Sequence, residues 1–377
     1  MVVVALARRN KKHRTSTSSH SFSPAVSILI AAFNEAKVIR NTLKSVLETD
    51  YQGEFELWVV DDGSTDDTTK IVSEFTQKDR RVNLIRQANQ GKATALRIGL
   101  ERTSHDIVVM LDADTRFQPD TLSNLISPLQ DELTAAVSGH ARVGNLKTFV
   151  GRCQSLEYAF GFNLDRRAYD EINGITVVPG AINAVRKQAL IQAGGVSTDT
   201  LAEDTDFTLC LHRAGFRVVY APQAIAWTEV PESWAGLVRQ RFRWAFGTLQ
   251  CLWKHRDMAF NIHYRALGCF SLPSVWFFHI LLVAVSPVID LIFLLSVVLG
   301  ISSYPIYVYF FIFLMTDLLL ALLALRMEKE PLRQAWLIIP MRFIYRPILS
   351  WVVWKSLIRA LKGAWVGWGK VERTAAA

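Results

Sequence analysis

The chain is short of charge and of cysteine. Only 20 % of its 377 residues are charged, and half are hydrophobic. That balance excludes a disordered chain or one that coats nucleic acid. Its four cysteines, Cys153, Cys210, Cys251 and Cys269, form no CxxC pair and have no His or Cys at metal-ligand spacing. This argues against a zinc site and a disulfide framework and suits a reducing compartment. Neither GxGxxG nor GxxxxGKS/T occurs, so the phosphate-cradling loops of dinucleotide oxidoreductases and P-loop NTPases are missing. A basic patch with interleaved aromatics is also missing from the middle of the chain. The net charge of +8 therefore does not indicate nucleic acid.

What is present is positive charge at the two ends and long apolar runs. Residues 1–24 carry +5 and residues 326–377 carry +7, leaving −4 between them. Such flanks suit the cytoplasmic side of membrane segments. Ala266–Gly300 is apolar except for His279, Pro287 and Asp290, and Tyr304–Leu325 contains only Asp317 as a charge. Both are long enough to cross a bilayer. Ala335–Ile358 is interrupted by Arg342, Arg346 and Lys355. Arginine in mid-span is costly, and a third crossing would export the basic tail. The sequence therefore favours two spans and a third segment that associates with the membrane in an interfacial or re-entrant way. Val2–Ala7 precedes the basic run, the wrong order for a signal peptide. It is too short to span and reads either as the cytoplasmic end of a truncated membrane helix or as a frayed terminus.

Between these ends the texture is that of an α/β domain. Val26–Ala31, Glu56–Asp62, Val82–Arg86 and Asp106–Asp114 are short apolar runs, the pattern of strands buried on both faces. Helical patterns at Ala36–Leu47, Thr65–Phe75 and Lys92–Glu101 alternate with them, which predicts βαβ units and a mostly parallel sheet. The expected division is a basic linker over 1–24, a catalytic α/β domain over 25–260, a membrane region over 261–360 with two or three hydrophobic segments, and a basic tail over 361–377.

Polar residues cluster just after the strands, where open α/β sheets bind ligands. Asp112-Ala113-Asp114 ends an apolar run, and two carboxylates one residue apart can hold a hard divalent cation such as Mg²⁺ or Mn²⁺ against a diphosphate. Alone, such a pair is more often a solvated turn. Asp61-Asp62-Gly63-Ser64 can approach a nucleotide, and Ser64 or Thr65 can equally cap the following helix. Glu203-Asp204-Thr205-Asp206 offers a base, or merely a helix start. Gln240-Arg241-Phe242-Arg243-Trp244 offers a planar cation for phosphate and a flat face for a sugar, or merely a basic helix beside the membrane.

Taken in order, Val150–Glu157, PGAINAVRKQAL (Pro179–Leu190), AEDTD and QRFRW resemble the processive family-2 glycosyltransferases, the group of poly-β-1,6-N-acetylglucosamine, hyaluronan, chitin and cellulose synthases. The resemblance runs from about Pro24 to Lys254 and is strongest to the bacterial poly-N-acetylglucosamine type. It implies a GT-A type nucleotide-sugar-binding domain followed by C-terminal transmembrane helices. It implies an inverting enzyme of the inner (plasma) membrane, multi-pass, with a cytoplasmic catalytic domain. The implied donor is UDP-N-acetylglucosamine, the acceptor a β-linked polysaccharide, and a small membrane accessory subunit is a further partner. By the same resemblance Asn34, Glu35, Asp61 and Asp62 line the uridine pocket and Lys92 contacts the nucleotide. Asp112 and Asp114 face the donor and the metal, with Asp114 the direct ligand. Asp204 is the general base, with Asp206 or Glu203 next in line. Gln240 and Arg243 hold the diphosphate, and Trp244 and Glu203 meet the acceptor. Pro179 and Ala202 stand where the family often has hydroxyl residues. Transfer of a single sugar to a lipid phosphate is the enzymatic alternative, which the QxxRW segment disfavours. A non-catalytic membrane subunit is disfavoured by the intact Asp112, Asp114 and Asp204.

Overall fold

The computed structural model describes residues 22–301 and 303–362. The readings that fall on 1–21 and 363–377 lie outside the described residues. One sheet holds eight strands: β1 (Val26–Ala32), β2 (Phe55–Asp61), β3 (Val82–Arg86), β4 (Ile107–Asp112), β5 (Arg116–Phe117), β6 (Thr134–Val143), β7 (Ile182–Arg186) and β8 (Arg217–Thr228). Their spatial order is β3-β2-β1-β4-β7-β6-β8-β5. β1 to β4 run parallel, as the strand–helix alternation predicts. β7 enters antiparallel between β4 and β6, β6 and β8 pair parallel, and β5 lies antiparallel on β8. The sheet is thus mixed and mostly parallel.

Alternate residues of β1 enter two different cores, which explains its unbroken apolar run. Val26, Ile28 and Ile30 pack with α1 (Ile39–Leu47), while Leu29 joins Ala95, Leu96 and Leu100 of the later crossover helix. Each fully buried side chain of this size contributes about 1.5–3 kcal/mol. The second crossover helix, α2 (Thr68–Lys78), begins later than expected, and neither Ser64 nor Thr65 caps it. The Ser64 hydroxyl instead accepts from the Asn34 N–H at 2.8 Å, tying the loop after β2 to the loop after β1. The third crossover helix is α3 (Lys92–Arg102). Beyond β4 come α4 (Thr121–Ile126), α5 (Phe149–Glu157), α6 (Leu164–Asp170), α7 (Lys187–Gln192), α8 (Glu203–Arg213) and the long α9 (Trp234–Lys254).

Among the described residues, three helices are long and apolar enough to cross a membrane: α10 (Leu267–Val298), α11 (Tyr304–Glu328) and α12 (Leu332–Leu361). Large apolar side chains of α10 and α11, such as Ile292 and Phe311, are exposed. α12 sits deeper, with 44 % of its apolar window buried against 22 % and 17 % for the other two. The sequence counts two arginines against this third segment; the structure supplies their counter-charges. Arg342 is 2.6 Å from Asp290 of α10 and 3.2 Å from Asp317 of α11, and Arg346 is 2.9 Å from the same Asp317. Four charges from three helices therefore cancel inside the bundle, so the arginines need not face lipid. The bundle is joined to the sheet through Glu328 at the end of α11. Its buried carboxylate meets His140 at 2.5 Å, Arg167 at 3.0 Å and Arg142 at 3.3 Å.

Removing one partner of a buried ion pair strands the other, at a cost of about 3–5 kcal/mol. Asp290→Ala should therefore lower the melting temperature of the detergent-solubilised chain, and Asp290→Ala with Arg342→Leu should recover much of the loss. An unchanged melting temperature in the single variant would show that the pair does not hold the helices.

Candidate active site

Strand register brings the site together. Ala31 lies beside Asp112 of β4 and Ala32 beside Asp61 of β2, so the turn after β1 passes between the two acidic strand ends. Asn34 in that turn has a positive φ of 54°, and its Oδ1 accepts from the backbone N–H of Thr65 at 2.7 Å. The next residue, Glu35, donates its N–H to the Thr68 hydroxyl at 2.7 Å. The carboxylate of Asp61 is fully buried and accepts from the Ser64 N–H at 2.9 Å and from the Thr69 hydroxyl. Asp62 gathers the N–H groups of Gln90 (2.9 Å) and Gly91 (2.8 Å) and the amide of Gln87 (2.7 Å). Asn34, Asp61 and Asp62 thus use polar atoms to brace the loops at this edge.

The other eight candidates all line one cavity of about 380 Å³. Lys92, Asp112 and Asp114 come from the strand-end side, Glu203 and Asp204 from the start of α8, and Gln240, Arg243 and Trp244 from α9. Lys92 stands between the acids, 2.6 Å from Asp112 and 3.3 Å from Glu203. Burial works against its charge, but Asp112, Glu203 and Asp204 together outweigh burial and hold the ammonium well above its usual range. A methyl group on Gly180 would come within 2.5 Å of the Lys92 ammonium, so a side chain there would displace the lysine head from its present position. Asp114 is buried and accepts from the Thr228 hydroxyl at 3.2 Å, and the next residue, Glu229, lines the same cavity.

Asp204 accepts from the Thr205 N–H at 2.7 Å and from the Gly180 N–H at 3.2 Å. Burial and the neighbouring Glu203 push its carboxyl up to about 6, against the pull of Lys92 and these two N–H groups. A base is most useful with a pKa near the working pH. Asp206 is committed elsewhere: Lys254 lies 2.9 Å and His255 2.8 Å from its carboxylate. It lies in a cluster with the half-buried Cys210 and the buried His255, outside the cavity lining. Ala202 packs where a methyl on Gly247 of α9 would come within 2.9 Å, so this small pair lets α8 and α9 close together.

The sequence passes over Arg241. Its buried guanidinium lies 2.5 Å from Glu157 of α5, 3.4 Å from the Tyr345 hydroxyl of α12, and 4.2 Å above the Trp244 ring. It also donates to Gln240 Oε1 at 3.3 Å. Tyr345 in turn donates to Glu157 at 2.6 Å. One residue thus braces both Gln240 and Trp244 and ties them to α12. The three-residue step from 241 to 244, which shares a helix face, was the available signal. No local pattern points to Tyr345, 104 residues away.

A profile described as "Glycosyltransferase like family 2" matches residues 24–247, more than half of the chain. The chain belongs to glycosyltransferase family 2. A poly-beta-1,6-N-acetyl-D-glucosamine synthase of Staphylococcus epidermidis is 32 % identical over 256 residues, covering 68 % of this chain and 61 % of that protein. The synthase of Staphylococcus aureus strain COL is 33 % identical over 223 residues, 59 % of this chain and 54 % of that protein. The chain therefore spans less than two thirds of the length of these relatives. Among solved structures, the mannosyltransferase PcManGT of Pyrobaculum calidifontis, in complex with GDP-Man and Mn²⁺, superimposes with a TM-score of 0.58 at 22 % identity. The match covers 96 % of this chain and 95 % of that one, so the similarity in fold extends beyond the GT-A domain into the C-terminal helices.

A base with a raised pKa loses activity as protons return to it. Turnover should fall below about pH 6, the value set by burial and Glu203, and level off above it. Asp204→Asn should remove this acid limb and slow turnover by about 10²–10⁴-fold, with UDP affinity held within a few-fold in calorimetry. Wild-type turnover in Asp204→Asn would exclude Asp204 as the base.

Proposed function

We propose that the chain is a membrane-anchored inverting hexosyltransferase. It moves N-acetylglucosamine from UDP-N-acetylglucosamine to a growing β-linked polysaccharide of the poly-β-1,6-N-acetylglucosamine type. The carrying observation is that one cavity holds the strand-end acids, Asp204 and Trp244 and continues to Val283 of α10 and Val352 and Val353 of α12. Donor chemistry, acceptor base and membrane helices thus share one space. The sugar and the linkage in this reading follow the names of the similar poly-beta-1,6-N-acetyl-D-glucosamine synthases, which support it.

In this reading Asn34, Glu35, Asp61 and Asp62 shape the uridine end, and Lys92, Gln240 and Arg243 face the diphosphate. Asp112 and Asp114, with Glu229 alongside, form an all-oxygen donor set of the kind that Mg²⁺ and Mn²⁺ prefer. When bound, such an ion offsets the charge developing on the leaving diphosphate. Asp204 takes the proton of the acceptor hydroxyl as its oxygen bonds to the anomeric carbon and the bond to the diphosphate breaks. Trp244 carries the acceptor ring, with Glu203 at the start of α8 beside it. Arg243 stabilises the departing charge through fixed N–H groups. In the same reading the chain is a multi-pass protein of the plasma membrane, with the basic flanks and the catalytic domain on the cytoplasmic side; the apolar exterior of α10 and α11 supports this.

Membranes supplied separately with radiolabelled UDP-sugars should incorporate label from UDP-N-acetylglucosamine into polymer sensitive to a β-1,6-specific hydrolase. Asp114→Asn should abolish incorporation without unfolding the chain, and EDTA should do the same reversibly. Full incorporation in excess EDTA would remove the metal, and label confined to the lipid extract would favour single-sugar transfer.

A further inference from the structure

After α5 the chain winds through a π-helical turn, Tyr158–Asn163, into α6. An α-turn over-rotates a four-residue step and a wider π-turn under-rotates it, so the mixed run keeps Tyr158, Phe162 and Arg166 on one face. All three line the cavity that holds Asp204 and Trp244. Phe162 meets the Trp244 ring edge-on at 5.9 Å, and Tyr158 meets Phe162 at 5.1 Å. These aromatic contacts make one corner of the cavity wall.

Arg166 closes that wall and differs from the cations around it. Lys92, Arg142, Arg167 and Arg241 each have a carboxylate partner. Among the described residues Arg166 has none. Its only side-chain hydrogen bond goes to Asn163 Oδ1 at 3.3 Å, and its buried Nε has no partner. Burial works against its charge, and Tyr220, Tyr158, Asp204 and Asp165 act from a distance in the opposite sense. Arg166 and Asp204 line the same cavity. A half-buried cation with a buried, unpartnered Nε and no counter-charge leaves donor capacity that a ligand can complete.

We infer that the Tyr158–Phe162–Arg166 face is an acceptor subsite for the terminal N-acetylated, uncharged sugar of the polysaccharide. The rings pack against the apolar faces of the sugar, and Arg166 donates its N–H groups to the carbonyl and hydroxyl oxygens. A cation at this position repels an ammonium, so a chain end that keeps its acetyl group is preferred to a deacetylated one. The sugar class rests on the function proposed above.

The test measures binding to the detergent-solubilised full chain, using a β-1,6-linked N-acetylglucosamine pentasaccharide, its fully deacetylated counterpart, and UDP. Loss of hydrogen bonds from a charged donor corresponds to an affinity loss on the order of 10–100-fold. Arg166→Gln should lose that much for the acetylated pentasaccharide, lose nothing for the deacetylated one, and keep UDP affinity within about 2-fold. Arg166→Lys should keep the discrimination against the amine while recovering only part of the affinity. Wild-type affinity of Arg166→Gln for the acetylated pentasaccharide would overturn the subsite, as would a parallel loss of UDP affinity. If the wild type incorporates no label from UDP-N-acetylglucosamine while its pentasaccharide binding still depends on Arg166, the donor assignment fails and the subsite stands.

Discussion

Lys92 stands between two sets of carboxylates that would otherwise repel each other. Asp112 belongs to the strand edge and Glu203 to the start of α8, and the ammonium is within 3.3 Å of both. Several features of the site follow from this contact. Gly180 leaves room for the lysine head, which lies where a side chain at that position would begin. Gly180 in turn donates to Asp204, so Lys92 and Asp204 are linked through one backbone position. Burial and Glu203 raise the Asp204 carboxyl, and Lys92 keeps that rise in check. In the proposed reaction the cation that balances these acids also faces the incoming diphosphate.

The three apolar C-terminal helices are held to the catalytic domain by buried charge as well as by apolar packing. Glu328 reaches from α11 to His140, Arg142 and Arg167. Tyr345 reaches from α12 to Glu157 and Arg241, and Arg241 lies over Trp244. The second junction matters most for the proposed function, because it makes the position of α12 a determinant of the surface proposed to carry the acceptor. Within the bundle, Arg342 and Arg346 meet Asp290 and Asp317 in the same way.

Where a pattern is local, the sequence was legible. The runs ending at Ala31, Asp62, Arg86 and Asp114 matched β1 to β4 to within about two residues, because these strands are apolar on both faces. The position and direction of β7 were not legible, since they depend on pairing with β4 and β6 far along the chain. Ser64 looked like a helix cap and bonds Asn34 instead, because a tertiary partner competes for the hydroxyl. Eight of the site candidates share the cavity because short motifs at strand ends and helix starts are placed by the fold itself. Asp61 and Asp62 hold loop N–H groups that their side-chain chemistry could not announce. The charges on the third apolar segment were visible from the start, but not that Asp290 and Asp317 answer them.

The central claim is direct displacement in a single cavity, with the acceptor oxygen activated by Asp204 and no covalent sugar–enzyme stage. The anomeric configuration of the first bond formed tests it most directly. Proton NMR of the product made from α-configured UDP-N-acetylglucosamine and a short acceptor should show the large anomeric coupling of a β-linkage. An α-linked product would contradict the account.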